Sequence, residues 1–288
     1  MNPMNGTTDL RYEVFVSDMV PVAAPPWPGD GPTLWSPLSH TLIYGENEAL
    51  LTDPPVIREQ ADALITWVES HDVALRYIYL THAHFDHFAT TNYLLRRFPD
   101  VTVVASDAVL TSIASQTPGG VLAGTYRNIF GDALPEPPLT VQGSVFPAGG
   151  LLLDGYEFFA HEVGHSDTDD TSVLHVPALD LVVAGDVVYN NVHQYLGEGR
   201  DGGLDAWRQA LDKVAALKPR FVVAGHKDAQ RGDPASDIDE TRRYLDVGAA
   251  VLEQSTNPGE FFHAMKQRYP ERVNPWAIWL SALQLFDR

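Results

Sequence analysis

The sequence predicts an α/β fold, because apolar strands and amphipathic helices alternate along both halves of the chain. Short runs of apolar or alternating residues indicate strands at 11–16, 41–44, 49–53, 77–80, 101–105, 157–161, 171–176, 181–184 and 221–224. Apolar residues at helical spacing indicate helices at 57–70, 90–98 and 204–217, and a largely helical segment from 236 to 288. Ligands of such folds bind where strands end, so polar residues at those ends are the first candidates for function.

We expect one domain over residues 1–288, because a chain of this length can bury a sizeable core. Residues from about 21 to 37 are dense in Pro, Gly and Trp, which predicts an irregular loop. Trp27 and Trp35 in that loop would either line a substrate mouth or anchor the loop on the core. Residues from about 116 to 150 carry many Gly and Pro, which predicts a surface insertion and a candidate lid over the site.

The net charge of −19 arises from 38 Asp and Glu against 19 Lys and Arg. Such a field repels phosphate backbones, so we expect a small-molecule substrate and no nucleic-acid partner. The absence of cysteine excludes disulfides, thiolate metal ligands and cysteine nucleophiles. The polar start of the chain, Met1 to Asp9, and the lack of a long apolar run lead us to expect no membrane partner and a cytoplasmic location.

A dense cluster of metal-ligand residues, His82, His84, Asp86 and His87, directly follows the apolar run 77–80. Side chains alternate along an extended segment, so His82 and His84 point the same way and can bind one metal. Asp86 and His87 follow where the chain turns and can reach a second metal. Imidazole together with carboxylate suits zinc, iron or manganese.

Three further ligand-type residues stand at the ends of predicted strands: His165, Asp186 and His226. Each of them follows a glycine, which lets the backbone turn and the ligand approach closely. His161 lies four residues before His165 and competes with it for the same role. Four such sites in one chain predict a metal centre.

This set resembles the metallo-β-lactamase superfamily of metallohydrolases, from about residue 41 to 226. The resemblance implies an αββα sandwich of two mixed sheets flanked by helices, with two zinc ions at one edge. It also implies one metal on three histidines and a second metal on one aspartate and two histidines, namely His82, His84 and His165, then Asp86, His87 and His226. Asp186 would bridge the two metals. Asp53 matches a family aspartate that supports the site through hydrogen bonds, although Pro55 replaces the usual glycine of that turn.

The expected chemistry is attack on a carbonyl by a hydroxide that bridges the two metals. Asp86 could take the proton of the nucleophile and pass it to the leaving atom. Tyr189 stands three residues after Asp186, where lactonases of this fold carry a tyrosine that donates to the substrate. The alternative for Tyr189 is a core residue whose hydroxyl bonds to the backbone. His193 is either a substrate contact or an ordinary loop histidine.

The sequence therefore predicts a dinuclear zinc hydrolase that acts on a small carbonyl substrate, most simply a lactone or an ester. A thioesterase resembling glyoxalase II and a β-lactamase are alternatives within the superfamily. Another alternative is a dioxygenase resembling the persulfide dioxygenases, which bind one iron through two histidines and an aspartate. The apolar run 276–280 would either line the pocket or form a homodimer contact.

Overall fold

Two mixed β-sheets form the centre of the computed structural model, which describes residues 9–24, 26–116, 121–136 and 141–287. The first sheet contains, in spatial order, β1 (Arg11–Ser17), β2 (Leu38–Tyr44), β3 (Glu48–Thr52), β4 (Ala74–Tyr79), β5 (Thr102–Ala105) and β6 (Ser144–Val145). Strands β1 to β3 pair antiparallel, and β3 to β6 pair parallel. The parallel half brings the carboxyl ends of β3, β4 and β5 to one edge.

The second sheet contains β7 (Leu151–Leu153), β8 (Tyr156–Gly164), β9 (Thr171–Val176), β10 (Leu181–Asn190) and β11 (Phe221–Lys227). Its spatial order is β11, β10, β9, β8, β7. Only β10 and β11 pair parallel, while the other neighbours are antiparallel. Strand β10 runs past Asp186, although the sequence predicted that it ends before that residue. Gly185 has a φ of +52°, and the register against β11 shifts on both sides of it, so the strand continues through a bulge.

Helices cover the outer face of each sheet. The first sheet packs against α1 (Arg58–Glu69), α2 (Thr91–Arg97), α3 (Asp107–Gln116) and α4 (Val121–Phe130). The second sheet packs against α5 (Gly203–Ala216), α6 (Asp237–Gln254), α7 (Pro258–Arg268) and α8 (Trp276–Phe286). Among the described residues, no helix combines the length and apolar character needed to cross a bilayer.

The strands carry apolar residues on both faces because each sheet is buried on both sides. In β10, Leu181 and Val183 join a core between the two sheets, whereas Val182 and Ala184 join the core under the helices. This period-two division produces three apolar layers, one between the sheets and one beneath each helical layer. The structure is therefore an αββα sandwich, and the expected fold class is confirmed.

The segment from 116 to 150 contains more regular structure than its Gly and Pro content predicted. Helix α4 lies within it, and β6 adds to the edge of the first sheet beside β5. Residues 117–120 and 137–140 of this segment lie outside the described ranges. Tyr126 and Ile129 of α4 face the cavity beside the candidate site, so part of the segment lies over that site.

The loop from 21 to 37 has no regular strand or helix in its described residues. Trp27 packs edge-on against Phe262 of α7 and Trp276 of α8, with ring centroids 5.7 and 5.8 Å away. Trp27 is thus an anchor of the loop. Trp35 instead lines the cavity. Of the two roles that the sequence allows, Trp27 therefore has that of an anchor and Trp35 that of a cavity wall.

Candidate metal centre

Metal-ligand side chains from the loop after β4, from the turn after β8 and from the strands β10 and β11 converge at one edge of the sandwich. A first donor group consists of His82, His84, Asp167 and Asp186, and a second donor group consists of Asp86, His87 and His226. Within each group the ligand atoms lie within 4.8 Å of one another. All of these side chains are buried except that of His84, which is 22% exposed.

Asp186 connects the two donor groups. Its Oδ1 lies 3.3 Å from Nε2 of His87, and its Oδ2 lies 3.1 Å from Nε2 of His226. Asp86 Oδ2 lies 3.6 Å from the same nitrogen of His226. A carboxylate that belongs to the first group and contacts two histidines of the second has the placement of a bridging ligand, as the superfamily resemblance implies for Asp186.

Asp53 orients two of the histidines through one hydrogen-bond chain. It accepts from the Thr81 amide at 2.8 Å, from Thr81 Oγ1 at 2.7 Å and from Nδ1 of His87 at 3.1 Å. Because the Thr81 hydroxyl donates to Asp53, it accepts from Nδ1 of His82 at 3.0 Å. In both histidines Nδ1 therefore bonds to an outer partner, and Nε2 faces the donor groups, where it can bind a metal.

The other two ligand histidines are oriented in the same manner. Nδ1 of His226 donates to the carbonyl oxygen of Pro37 at 2.8 Å. Nε2 of His84 lies 3.4 Å from Glu198 Oε1, which leaves Nδ1 of His84 facing the first donor group. Each histidine thus uses one ring nitrogen for an outer partner and turns the other inward, as metal ligands in proteins usually do.

Several inward-facing atoms are buried without a hydrogen-bond partner: His82 Nε2, His87 Nε2, Asp167 Oδ2 and Asp186 Oδ1. Leaving such atoms unsatisfied costs about 1–3 kcal/mol each, so a place where the fold gathers them suits a ligand that satisfies them. Imidazole nitrogens and carboxylate oxygens are suitable donors for zinc and for other divalent metals. The residues of this site fit two metal ions.

The charge pattern of the site also suits cations. Burial raises the pKa of Asp186, but His226 and His87 outweigh burial and hold this pKa well below its usual value. Burial, together with His87, lowers the pKa of His82 to about 3, so this imidazole is neutral and able to bind metal at neutral pH. Burial lowers the pKa of His87, yet Asp186 and Asp86 outweigh it and raise this pKa well above 6.5. Metal binding therefore competes with a proton on His87 and becomes tighter as the pH rises.

The structure differs from the superfamily expectation at the third histidine of the first metal. His165 belongs to neither donor group, and Asp167 stands in the first group instead. Nδ1 of His165 lies 2.7 Å from Asp169 Oδ1, and its Nε2 is buried close to Gly203 at the start of α5. Gly164 has a φ of +90°, so the backbone turns sharply at the end of β8 just before these residues.

His161, the competing residue, also lies outside both donor groups. It is on β8, where its ring is 5.5 Å from the ring of His175. Neither candidate for the third histidine therefore belongs to the donor groups among the described residues.

Trp35 links the loop from 21 to 37 to the second donor group. Its indole Nε1 donates to Asp86 Oδ2 at 2.8 Å, and its ring packs edge-on against Phe130 at 5.1 Å. The two residues are 51 positions apart in the sequence, so no local sequence pattern predicts this hydrogen bond. It restrains the carboxylate that the sequence assigns to proton transfer.

Tyr189 and His193 both line the cavity. The Tyr189 hydroxyl donates to Asp186 Oδ2 at 2.7 Å, so its partner is a ligand carboxylate rather than the backbone. Nδ1 of His193 lies 3.0 Å from the hydroxyl of Tyr244. Burial, with a smaller effect of Arg272, lowers the pKa of His193 to about 3, which keeps this imidazole neutral.

A cavity of about 410 Å³ adjoins both donor groups. Its walls are largely aromatic and apolar: Trp35, Tyr126, Ile129, Tyr195, Trp276, Ala277 and Leu280. The acidic residues in its wall are Asp86, Asp167, Asp186 and Glu198, and none of the described residues that line it is Lys or Arg. Sequence reasoning did not find Asp167, Glu198 or Tyr195. Three of the four residues 167–170, close after His165, are aspartates, and this was a signal for the first of them.

Comparison with known proteins places this arrangement in a family. The family model described as the metallo-beta-lactamase superfamily matches residues 35–226, which include both donor groups. The chain belongs to the metallo-β-lactamase superfamily, whose members are metal-dependent hydrolases.

Two curated relatives have hydrolase names. A metallo-beta-lactamase type 2 from Bacteroides fragilis is 25% identical over 195 residues, which cover 67% of this chain and 70% of that protein. A hydroxyacylglutathione hydrolase from Synechococcus sp. (strain CC9902) is 39% identical over 90 residues, which cover 31% of this chain and 34% of that protein. The second similarity is therefore confined to about a third of either protein.

Solved structures share the fold at low sequence identity. A metallo-β-lactamase from Pontibacter korlensis superimposes with a TM-score of 0.57 at 18% identity, covering 81% of this chain and 99% of that one. The mono-zinc form of the metallo-β-lactamase FIM-1 from Pseudomonas aeruginosa gives a TM-score of 0.57 at 16% identity, covering 83% and 91%. These matches show the common fold.

Proposed function

We propose that this chain is a two-zinc hydrolase that opens lactone or ester bonds of small acyl substrates without a negative charge. The observation that carries the proposal is the cavity, which joins two donor groups to aromatic walls and has no Lys or Arg among its described lining residues. Apolar walls with a few convergent polar groups are typical of sites for small organic molecules.

The candidate substrates differ in charge, and the charge of the residues that line the cavity favours one of them. A β-lactam antibiotic carries a carboxylate beside its ring, and a glutathione thioester carries two carboxylates. A buried carboxylate needs a cation or several donors. Apart from the metal ions, which the reacting carbonyl needs, the described walls offer it Glu198 and no Lys or Arg. A lactone or a simple ester has no such charge. We therefore favour it over the substrates that the names of the two curated relatives suggest.

The residues of the chain support each part of a carbonyl hydrolysis. Bound metal ions would supply Lewis acidity and lower the pKa of an attacking water toward neutrality. Asp86 Oδ2, held by Trp35, is placed to accept a proton and return it to the leaving oxygen. The Tyr189 hydroxyl lines the cavity and donates to Asp186 Oδ2 in this structure. With Asp186 engaged by metal, this hydroxyl would donate instead to the substrate oxygen on which charge develops. The aromatic walls exclude water and strengthen these interactions.

Replacing Tyr189 with Phe is expected to lower kcat by about 10²-fold while the metal content stays unchanged, because one donor to the developing oxyanion is lost. Elemental analysis and steady-state hydrolysis of a lactone measure the two quantities. Tyr93→Phe is the matched control, since the Tyr93 hydroxyl bonds to Asp62 on the surface. Loss of metal in Tyr189→Phe would instead make the residue a support for Asp186.

The proposed function is tested by proton release from a γ-lactone, measured in a pH-stat with zinc-loaded protein and with a chelator-treated sample. S-lactoylglutathione and a penicillin serve as the charged competitors. We expect zinc-dependent opening of the lactone with a kcat/KM well above that for either anionic substrate. Faster turnover of the thioester or of the penicillin rejects the proposed substrate class but keeps the hydrolase. If none of the three substrates is hydrolysed in a metal-dependent reaction, both the proposed substrate class and the hydrolase activity are rejected.

A dioxygenase with one iron is the second candidate, and one observation favours it. His82, His84 and Asp167 make a set of two histidines and one carboxylate, which is common in non-haem iron enzymes that use oxygen. The complete second donor group favours the two-metal hydrolase. Oxygen uptake by iron-loaded protein with a persulfide substrate would favour the dioxygenase, whereas zinc-dependent lactone opening without oxygen uptake excludes it.

A further inference from the structure

Glu198 is a carboxylate in the wall of the cavity that belongs to neither donor group. It lies in the loop between β10 and α5, and its side chain is 38% exposed. Its hydrogen-bond partners are Nε2 of His84, at 3.4 Å, and the side chain of Thr168. An imidazole that binds a metal is neutral, so neither partner cancels the charge of Glu198 when the site is loaded.

Aromatic rings line the cavity beside this carboxylate. The ring of Tyr195 lies 5.9 Å from the ring of His84, the histidine that Glu198 contacts. Burial raises the pKa of the Tyr195 hydroxyl, and the charge of Glu198 raises this pKa further. Burial also raises the pKa of Tyr126, and Asp86 and, more weakly, Glu198 add to the effect. The negative potential of Glu198 therefore reaches aromatic rings from α4 and from the loop after β10.

The aromatic wall is held in place by contacts between its rings. Tyr126 stacks on Phe85 with ring centroids 4.1 Å apart, and Trp35 packs edge-on against Tyr126 at 6.2 Å. Trp276, from α8, packs edge-on against Trp27 at 5.8 Å. The faces of Trp and Tyr rings attract cations that lie within about 6 Å of the ring centroid, and sites for quaternary ammonium groups use several such rings. A carboxylate beside the rings adds a charge of the opposite sign to that of the ligand.

The charges around the cavity also favour a cation over an anion. The four carboxylates of the described lining match the charge of two divalent metal ions, so the loaded site would have no excess of positive charge. The described lining contains no Lys or Arg, and the whole chain has a net charge of −19. A field of that sign raises the local concentration of cations and their rate of association. A positively charged ligand is therefore attracted to the cavity.

We propose that the substrate of this site carries a positively charged amine, quaternary or protonated, which the aromatic wall and Glu198 bind while its ester or lactone carbonyl faces the metal ions. The inference rests on the proposed function, because it assigns a substrate class to the same cavity. The volume of about 410 Å³ is typical of small-molecule sites and has room for both parts of such a substrate. If Glu198 only oriented His84, its charge would not affect which probe the cavity prefers.

Calorimetric titration of the zinc-loaded protein with choline and with neohexanol tests the inference without turnover. In neohexanol a carbon atom replaces the nitrogen of choline, so the two probes have nearly the same shape and only choline is charged. We expect choline to bind at least about 10-fold more tightly, because the aromatic faces and the carboxylate favour the cation. Equal affinities, tighter binding of neohexanol or no detectable binding of choline overturns the inference.

The variant Glu198→Gln locates the bound probe in the cavity. The amide keeps the size of the side chain and can still accept from His84, but the charge is lost. We expect choline to bind about 5–10-fold more weakly to this variant, while neohexanol binds as before. Glu253→Gln is the matched control, because Glu253 is exposed on α6 and its loss changes the net charge equally. Elemental analysis ensures that the proteins are compared at equal zinc content. A full preference for choline in Glu198→Gln, or the same loss in both variants, overturns the inference.

The pH-stat assay of the γ-lactone distinguishes this inference from the proposed function. Competitive inhibition of lactone opening by choline, but not by neohexanol at the same concentration, supports both. Choline binding without any metal-dependent hydrolysis rejects the hydrolase but supports the cation site. Metal-dependent lactone opening without choline binding keeps the hydrolase and rejects the cation site.

Discussion

Replacing Asp86 with Asn is expected to lower kcat/KM for the lactone by about 10³-fold or more, with loss of the second metal. The side chain keeps its volume, but the charge that faces His226 at 3.6 Å disappears. General acid–base catalysis by a placed carboxylate contributes about 10²–10⁴-fold, and the weakened metal binding adds to the loss. Elemental analysis and steady-state kinetics measure the two effects separately.

Asp205→Asn is the matched control for this variant. Asp205 lies on α5, its side chain is 79% exposed, and it pairs with Arg208 on the surface. An exposed ion pair contributes little, so activity and metal content should stay as in the wild type. Full activity in Asp86→Asn would remove Asp86 from the mechanism and, with it, the role that we assign to Trp35.

Much of the fold follows from local patterns. Helix α1 was predicted because Ala61, Leu64 and Val68 recur at helical spacing and are all buried. Helix α4 was not predicted, because Gly and Pro in its neighbourhood favour a loop and only contacts such as the stacking of Tyr126 on Phe85 explain its position. Local propensity is a weak signal, and tertiary contacts override it in such segments.

The candidate site was predictable to the extent that its residues follow strands. His82 follows β4, His226 is the next-to-last residue of β11, and Asp186 lies beside the bulge within β10. The fold brings the three together at one edge. The partners that orient these residues are not local: Glu198 is 114 residues from His84, and the carbonyl of Pro37 is 189 residues from His226. No spacing rule encodes such contacts. The placement of Asp167 in the first donor group likewise depends on the turn at Gly164, which local spacing does not encode.

The glycines of the site are as constrained as its ligands. In β11, a Cβ on Gly225 would lie 2.0 Å from Asp186 Oδ1 and 2.7 Å from the carbonyl carbon of Gly185. The first of these atoms can move, but the second is backbone within a paired strand and cannot move without disturbing the sheet. Gly225→Ala is therefore expected to lower the free energy of unfolding by about 3 kcal/mol and to displace the bridging carboxylate.

Urea denaturation and elemental analysis measure these two effects, and Gly232→Ala is the matched control. Gly232 has nothing within 4 Å of its Cβ position, so its alanine variant should match the wild type in stability and in metal content. Comparison with Asp86→Asn then distinguishes a displaced ligand from a lost ligand charge. Asp86→Asn should lose metal and activity but keep most of its stability, whereas Gly225→Ala should lose stability as well. If Gly225→Ala keeps both metals and wild-type stability, the close packing of β10 on β11 is not what positions Asp186. The bridging role would then depend on the hydrogen bond from Tyr189 instead.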